Sequence, residues 1–540
     1  MFHKKTLSSL CLLLCCALLP LAAQEELVTA CNSISVEFNP HHSIYAMEAQ
    51  LFTATYEGLF SYDPQTLEPV NAACESYKVS PNGLVYTFTL RSDARWSDGS
   101  QLKAADFRSA WLELLNPKDK ADYASFCDII SGARSYRLGK NRNQNSVGIK
   151  ALDDRTLEVT LSSPAAYFTR LLCHHSFSPV HPSLLGIRDW SARLPFPVDG
   201  PYTIVSYKAG RDGELILQKN DNYWDAKNVQ IPKLKIILSD DDEEATRLYN
   251  NGEINWLSGP MKLDSVLAKD DIQASPMFST QYWYFNCSQK PWNSADLRRG
   301  LALILPWKEI RSADVYPIPA STLVLPLSGY EDAKGIENAD PAAGKELVAK
   351  SGHRDGRGLP PLVILVPEGG SDAVRVAGIM KKAWEEALPS LKVDIETVAG
   401  DAYFARLRSG PTKGRYTMGL TAWIGDFADP YAFLGMFTTN SNLNDAGYKN
   451  RDYDSLLAKA EAEGRAQRFK TLAQAESKLL ADAAVLPLYH NLAVNVIDPN
   501  YIVGWYDNAL DIHPFKYMHF GTKQSGPNVA LLGGRGSAAL

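Results

Sequence analysis

The amino-acid sequence predicts an α/β fold divided into two or three subdomains, and three observations lead to it. Strand-like and helix-like segments alternate along the chain, most plainly in its second half, which is the pattern of a largely parallel sheet. At 540 residues the chain exceeds what a single hydrophobic core organises. Its composition, 45% hydrophobic and 21% charged, can fill such cores. The 11 Trp, 25 Tyr and 19 Phe are read first as core and second as the lining of a cleft.

At the N-terminus, Lys4-Lys5 precede an apolar run from Leu7 to Leu21 that ends at Ala22-Ala23. This is the pattern of a cleaved secretory signal over residues 1–23, and the run is shorter than the roughly 20 residues of a membrane-spanning helix. An exported protein of the periplasm or another extracytoplasmic space is expected, starting near Gln24. Val28-Thr29-Ala30-Cys31 spells a lipid-attachment box, but Gln24-Glu25-Glu26 separate it from the apolar run, and Leu27 to Val36 reads as a strand. A lipid anchor is therefore the lesser alternative. Cleavage leaves Cys31, Cys74, Cys127, Cys173 and Cys287, with no CxxC pair; buried free thiols are expected, and no metal site.

Further along, the turn Ser80-Pro81-Asn82-Gly83 introduces a strand from Leu84 to Leu90 with period-two alternation. Apolar residues at helical spacing follow from Ala104 to Leu115 and stop at Asn116-Pro117. Arg155 to Leu161 predicts another strand, and Tyr202 to Val205 with Glu214 to Leu217 a pair. The acidic run Asp240 to Glu244 precedes a helix-like segment from Ala245, where first-turn acids complement the helix dipole. Helices are expected over 377–388, 453–463 and 466–484, with strands over 362–366 and 392–397 between or beside them. From Gly521 the tail is rich in Gly, Ser and Ala and is expected to lack fixed structure.

The net charge of -6, without a basic stripe, excludes a nucleic-acid partner. The pairs His41-His42 and His174-His175 read as polar-loop or internally satisfied histidines, because neighbours on a regular strand face opposite ways. Signature motifs of hydrolases, zinc proteases, nucleotide-binding loops and dinucleotide folds are missing, so neither catalysis nor a cofactor is expected.

Several strings, in order, resemble the extracytoplasmic solute-binding proteins of peptide ABC importers, the oligopeptide- and dipeptide-binding family. They begin with Phe38-Asn39-Pro40 and Tyr56-Glu57-Gly58-Leu59. Tyr86 to Arg91, Ala94-Arg95-Trp96-Ser97-Asp98-Gly99 and Ala105-Asp106-Phe107 form the most specific stretch. Asp199-Gly200-Pro201-Tyr202, Asn220 to Trp224, Tyr249 to Ile254, Phe285-Asn286, Pro291-Trp292-Asn293, Leu297 to Ala302 and Trp423 to Leu434 complete the series. The likeness spans about Leu27 to Phe520.

That resemblance implies a two-lobed periplasmic-binding-protein fold, class II or cluster C in kind, with an extra subdomain and a hinge. Residues 24–58, 185–278 and 491–520 would form the main subdomain of lobe 1, residues 59–184 its extra subdomain, and residues 279–490 lobe 2. It implies a monomer that captures short peptides and delivers them to a permease and ATPase complex. By position, Asp426 matches the acid that holds a peptide's α-amino group. Ala422, Trp423 and Ile424 match a strand that pairs with ligand backbone, Ile44, Tyr45 and Ala46 a second pairing segment, Tyr123 a cleft tyrosine and Arg408 a basic position. The sequence departs from the pattern where Ile44 replaces a glutamate, Leu420 an arginine and Val374 a histidine, which leaves recognition of the ligand carboxylate open. Two other readings stand beside this one: the same fold holding a metal chelate, haem or oligosaccharide, and a secreted chaperone or adhesin. For Asp426 the competing role is a helix cap before Pro430.

Overall fold

A computed structural model describes residues 26–43, 45–165, 167–312, 318–327, 329–330, 333–409, 415–427 and 429–522. The expected signal segment, Ile44 and the tail beyond Thr522 lie outside them. The spine is one eleven-stranded sheet. From one edge it runs through Val393–Val398, Leu362–Pro367, Met418–Ile424, Ile272–Phe285, Val485–Ile497, Trp256–Leu257, Glu26–Asn32, Lys233–Ser239, Gly213–Lys219 and Tyr202–Lys208, with Ile318–Pro319 paired to Val485–Ile497.

Two long strands, Ile272–Phe285 and Val485–Ile497, belong to both halves of this sheet. Ile272 to Pro276 pairs with Val496 to Leu492, and Thr280 to Tyr284 with His490 to Val485. The register breaks between Pro276 and Thr280, where proline cannot donate to the ladder. On one side of the break lie the strands around Glu26–Asn32, here the first lobe. On the other lie Met418–Ile424, Leu362–Pro367 and Val393–Val398, the second lobe. The second lobe is less parallel than the alternation of elements suggests. Its three outer strands are parallel, but Met418–Ile424 runs antiparallel to the long strand beside it, because that strand arrives directly from the first lobe without a crossover helix.

The sequence-stated elements take their places within this frame. Cys74–Val79, Val85–Leu90, Thr156–Thr160 and Ile149–Ala151 form a separate antiparallel sheet in the first lobe. Helix Ala104–Leu114 packs beside it and starts where Asp106 Oδ2 accepts both the Lys103 N–H, at 2.9 Å, and the Trp96 indole N–H, at 3.1 Å. The most specific string of the sequence is thus a local scaffold. The acidic run caps helix Asp242–Asn250, Asp241 accepting the N–H groups of Glu243 and Glu244. The helix expected at 377–388 begins six residues sooner, as Ser371–Ala387.

Cys31 sits in the seven-residue strand Glu26–Asn32, opposite Leu238, so cleavage before it would remove most of a central strand. The five described cysteines are unpaired; four are buried and Cys173 is half-buried. Burial pushes the thiols of Cys74 and Cys287 up to about 11 and that of Cys31 up to about 12.

Candidate functional site

Strand Met418–Ile424 presents a free edge. It pairs along its length with Ile272–Phe285, but on the other side only Met418 and Gly419 meet Ile364 and Leu365. Beyond them the Tyr403 hydroxyl takes both backbone groups of Leu420, donating to its carbonyl at 2.6 Å and accepting its N–H at 2.9 Å. The backbone of Leu420 therefore points away from the paired neighbour, and alternation turns Ala422 and Ile424 to that same edge. The edge opens on a cavity of about 540 Å³ between the lobes, within the size range of ligand pockets.

Asp426 closes the end of this edge. Gly425 precedes it because the Phe278 ring lies where a Cβ would stand, 2.3 Å away, and Gly425 N–H donates to Phe278 O at 2.7 Å. The Asp426 carboxyl meets two groups of the first lobe. His174 Nδ1 accepts the Ser176 N–H at 3.3 Å, so its proton is on Nε2, which lies 3.3 Å from Asp426 Oδ1. Burial lowers His174 to about 3, so this contact brings a neutral ring, not a cation, against the carboxyl. The Tyr123 ring packs 4.3 Å from His174 and its hydroxyl partly offsets the rise of the Asp426 carboxyl, which burial pushes up to about 8. Asp426 Oδ2 is buried and without a hydrogen-bond partner among the described residues. The cap before Pro430 belongs to Asp429, which accepts the Tyr431 N–H at 2.9 Å.

Of the nine residues singled out in sequence, eight line this cavity: Tyr45, Ala46, Tyr123, Arg408, Ala422, Trp423, Ile424 and Asp426. Arg408 reaches across the cleft, its guanidinium 5.5 Å from the Tyr45 ring centre. Trp423 donates its indole N–H to Ala432 O at 3.1 Å. Leu420 also lines the cavity; Val374 stands exposed on its helix and is not among the lining residues. The reading of His174 as a satisfied histidine missed its place beside Asp426, as adjacent histidines carry no spacing signal. Asp122 and Asp445 were also missed; both line the cavity, and burial pushes Asp445 up to about 7.

The lobes meet elsewhere too. Arg137, in the first lobe, donates to Asn442 Oδ1 at 2.7 Å and Asn440 O at 3.1 Å. Tyr167 stacks on Phe427 at 5.8 Å, under the Arg468 guanidinium at 4.6 Å.

Two lobes joined through a shared sheet, closed over a cavity with a strand edge and a buried acid, define a solute-binding protein. The chain belongs to the bacterial extracellular solute-binding proteins, family 5, whose middle-region model matches residues 68–445. It is similar to the oligopeptide-binding protein OppA of Bacillus subtilis, 27% identical over 467 residues covering 83% of this chain and 84% of that one. The dipeptide-binding protein DppE of the same organism is 27% identical over 435 residues, 78% and 79% of the two chains. A solved oligopeptide-binding protein of the ABC transporter OppAIV from Borrelia burgdorferi superposes with a TM-score of 0.80 at 25% identity, covering 92% of this chain and all of that one.

Proposed function

We propose that this protein captures short peptides between its lobes and presents them to an ABC importer outside the cytoplasm. The observation that carries this reading is the buried, unpartnered Oδ2 of Asp426 at the end of an open strand edge. A carboxylate so placed suits a ligand ammonium group, and an open edge suits an extended backbone that adds a strand without regard to side chains. Oligopeptide- and dipeptide-binding relatives align with this chain along most of their length. In this reading Asp426 holds the α-amino group, Ala422 and Ile424 pair with ligand backbone, and Tyr45, Ala46, Tyr123, Trp423 and Arg408 complete the walls. The hinge would lie at Pro276–Thr280 and its partner near His490, close to the boundaries 278/279 and 490/491 expected from sequence, with residues 59–184 as the extra subdomain of lobe 1. The protein would act as a monomer, with a permease and ATPase complex as its partner.

The test is calorimetry on four combinations: wild type and Asp426→Asn, each with a tripeptide and its N-acetylated form. Asp426→Asn should weaken binding of the free peptide about 30-fold, since truncating a buried charge pair costs about 2–5 kcal/mol. Acetylation should cost the wild type as much, and the two losses should not add. Additive losses, or indifference to acetylation, would place the amino group elsewhere.

A further inference from the structure

The cavity holds more negative charge than one amino group can match. Among the described residues, three carboxyls line it, Asp122, Asp426 and Asp445, against one guanidinium, Arg408, and no lysine. Its two histidines are held neutral by burial, His174 at about 3 and His175 well below the ordinary value. Asp122 comes from the first lobe, just before the turn at Ala124–Ile129, and Asp445 from the loop before helix Arg451–Glu461 in the second. They are close enough that the charge of Asp122 raises the Asp445 carboxyl, while Arg408 lowers both. Neither carboxyl has a side-chain hydrogen bond or an ion-pair partner among the described residues. Arg408 is likewise without one, so it stands near the acids without being bound by them.

A second feature points to a ligand at the same place. Tyr282, on the long strand Ile272–Phe285, is only 4% exposed, lines the cavity and feels the charge of Asp445. Its hydroxyl has no hydrogen-bond partner among the described residues. Tyr284, also lining the cavity, feels Asp445 as well. A carboxylate beside tyrosine rings, with a second carboxylate lining the same cavity, makes a setting in which a cation is stabilised by charge and by the ring faces together. If a ligand carboxylate engages Arg408, no other arginine or lysine among the described residues lines the cavity, and Arg188 acts on Asp122 only from outside that lining; unmatched buried charge is costly.

We propose that Asp122 and Asp445, converging from opposite lobes beside the unpartnered Tyr282 hydroxyl, form a subsite for a cationic side chain of the captured peptide, of the lysine or arginine class. This rests on the peptide reading above and adds a preference to it. Closure assembles the subsite, since each lobe supplies one acid. A peptide with a basic residue at the matching position is therefore held more tightly than one with an uncharged residue of the same length.

The test uses tetra-alanine peptides carrying lysine or norleucine at position 2, 3 or 4, titrated by calorimetry into the wild type, Asp445→Asn and Asp122→Asn. At one position lysine should bind at least tenfold more tightly than norleucine in the wild type, and each substitution should collapse that ratio toward one. Equal affinities at all three positions would overturn the subsite while leaving peptide capture intact. So would a lysine preference that survives both substitutions. Failure of every peptide to bind would overturn the peptide reading itself and this proposal with it. The wild-type ratio needs no variant, so a substitution that fails to fold does not remove the test.

Discussion

Arg137 and Asn442 hold each other's segments across the cleft: the guanidinium donates to Asn442 Oδ1 at 2.7 Å, and the Asn442 amide donates to Ala121 O at 3.0 Å. Arg137 is fixed for this contact by a two-pronged pair with Asp128, at 2.9 and 2.6 Å. The link is made only when the lobes are together.

Removing it should therefore act on release of ligand. A hydrogen bond to a charged group is worth about 1.5–3 kcal/mol, so Asn442→Ala is expected to raise the dissociation rate about tenfold. Stopped-flow release of a labelled peptide measures this, and an unchanged rate would show that the link does not hold the closed form.

Closure without ligand should depend on pH. In an open, solvated cleft the Asp426 carboxyl ionises in the ordinary range; in the closed cleft burial pushes it up to about 8. Between roughly pH 6.5 and 8 empty closure thus takes up a proton and becomes less favourable as pH rises. Asp122 and Asp445 shift the same way, whereas His174 and His175, which burial lowers in the closed cleft, give up protons on closure below about pH 6.5 and oppose the carboxyls there. The ligand-free protein should be more compact at pH 6.5 than at pH 8 by small-angle scattering, with a weaker dependence in Asp426→Asn. A radius indifferent to pH would refute this.

The Tyr403 hydroxyl serves two backbone groups of Leu420 at a buried position. Tyr403→Phe leaves both unpaired and is expected to cost about 1–3 kcal/mol in chemical denaturation. A loss under half a kilocalorie would mean that another donor replaces it.

Glu57 joins distant segments of the first lobe, accepting from Tyr223 Oη and Lys516 Nζ, both at 2.6 Å, and from the Trp224 indole. All but Trp224 are buried. Lys516→Met removes the cation paired with Glu57 and should cost about 3–5 kcal/mol. A variant as stable as the wild type would show that the two neutral donors suffice.

Local patterns and ordered strings made much of this architecture legible. Alternation from Leu84 to Leu90 and the helices Arg451–Glu461 and Arg465–Ala481 were read within a few residues, because their faces see one environment along their length. The two long strands were not. Ile272–Phe285 contains Pro276 and passes from a half-exposed stretch to a fully buried one, so no single period describes it. Val485–Ile497 is buried at almost every position, which periodicity cannot tell from a helix. At the site, Asp426 and its strand were legible through their string, whereas Asp122, His174 and Asp445 enter only because folding brings three separate loops to one cavity.

The buried thiols set a condition on how this chain must mature. A thiolate is the species that exchanges with disulfides, and burial keeps each of the five described cysteines well above its ordinary range. In the folded molecule these five thiols therefore offer little thiolate to oxidants that would pair exposed ones. The same five sulfurs are open to mispairing before folding is complete. Burial in the folded chain, and not a disulfide among the described cysteines, is what shields these sulfurs.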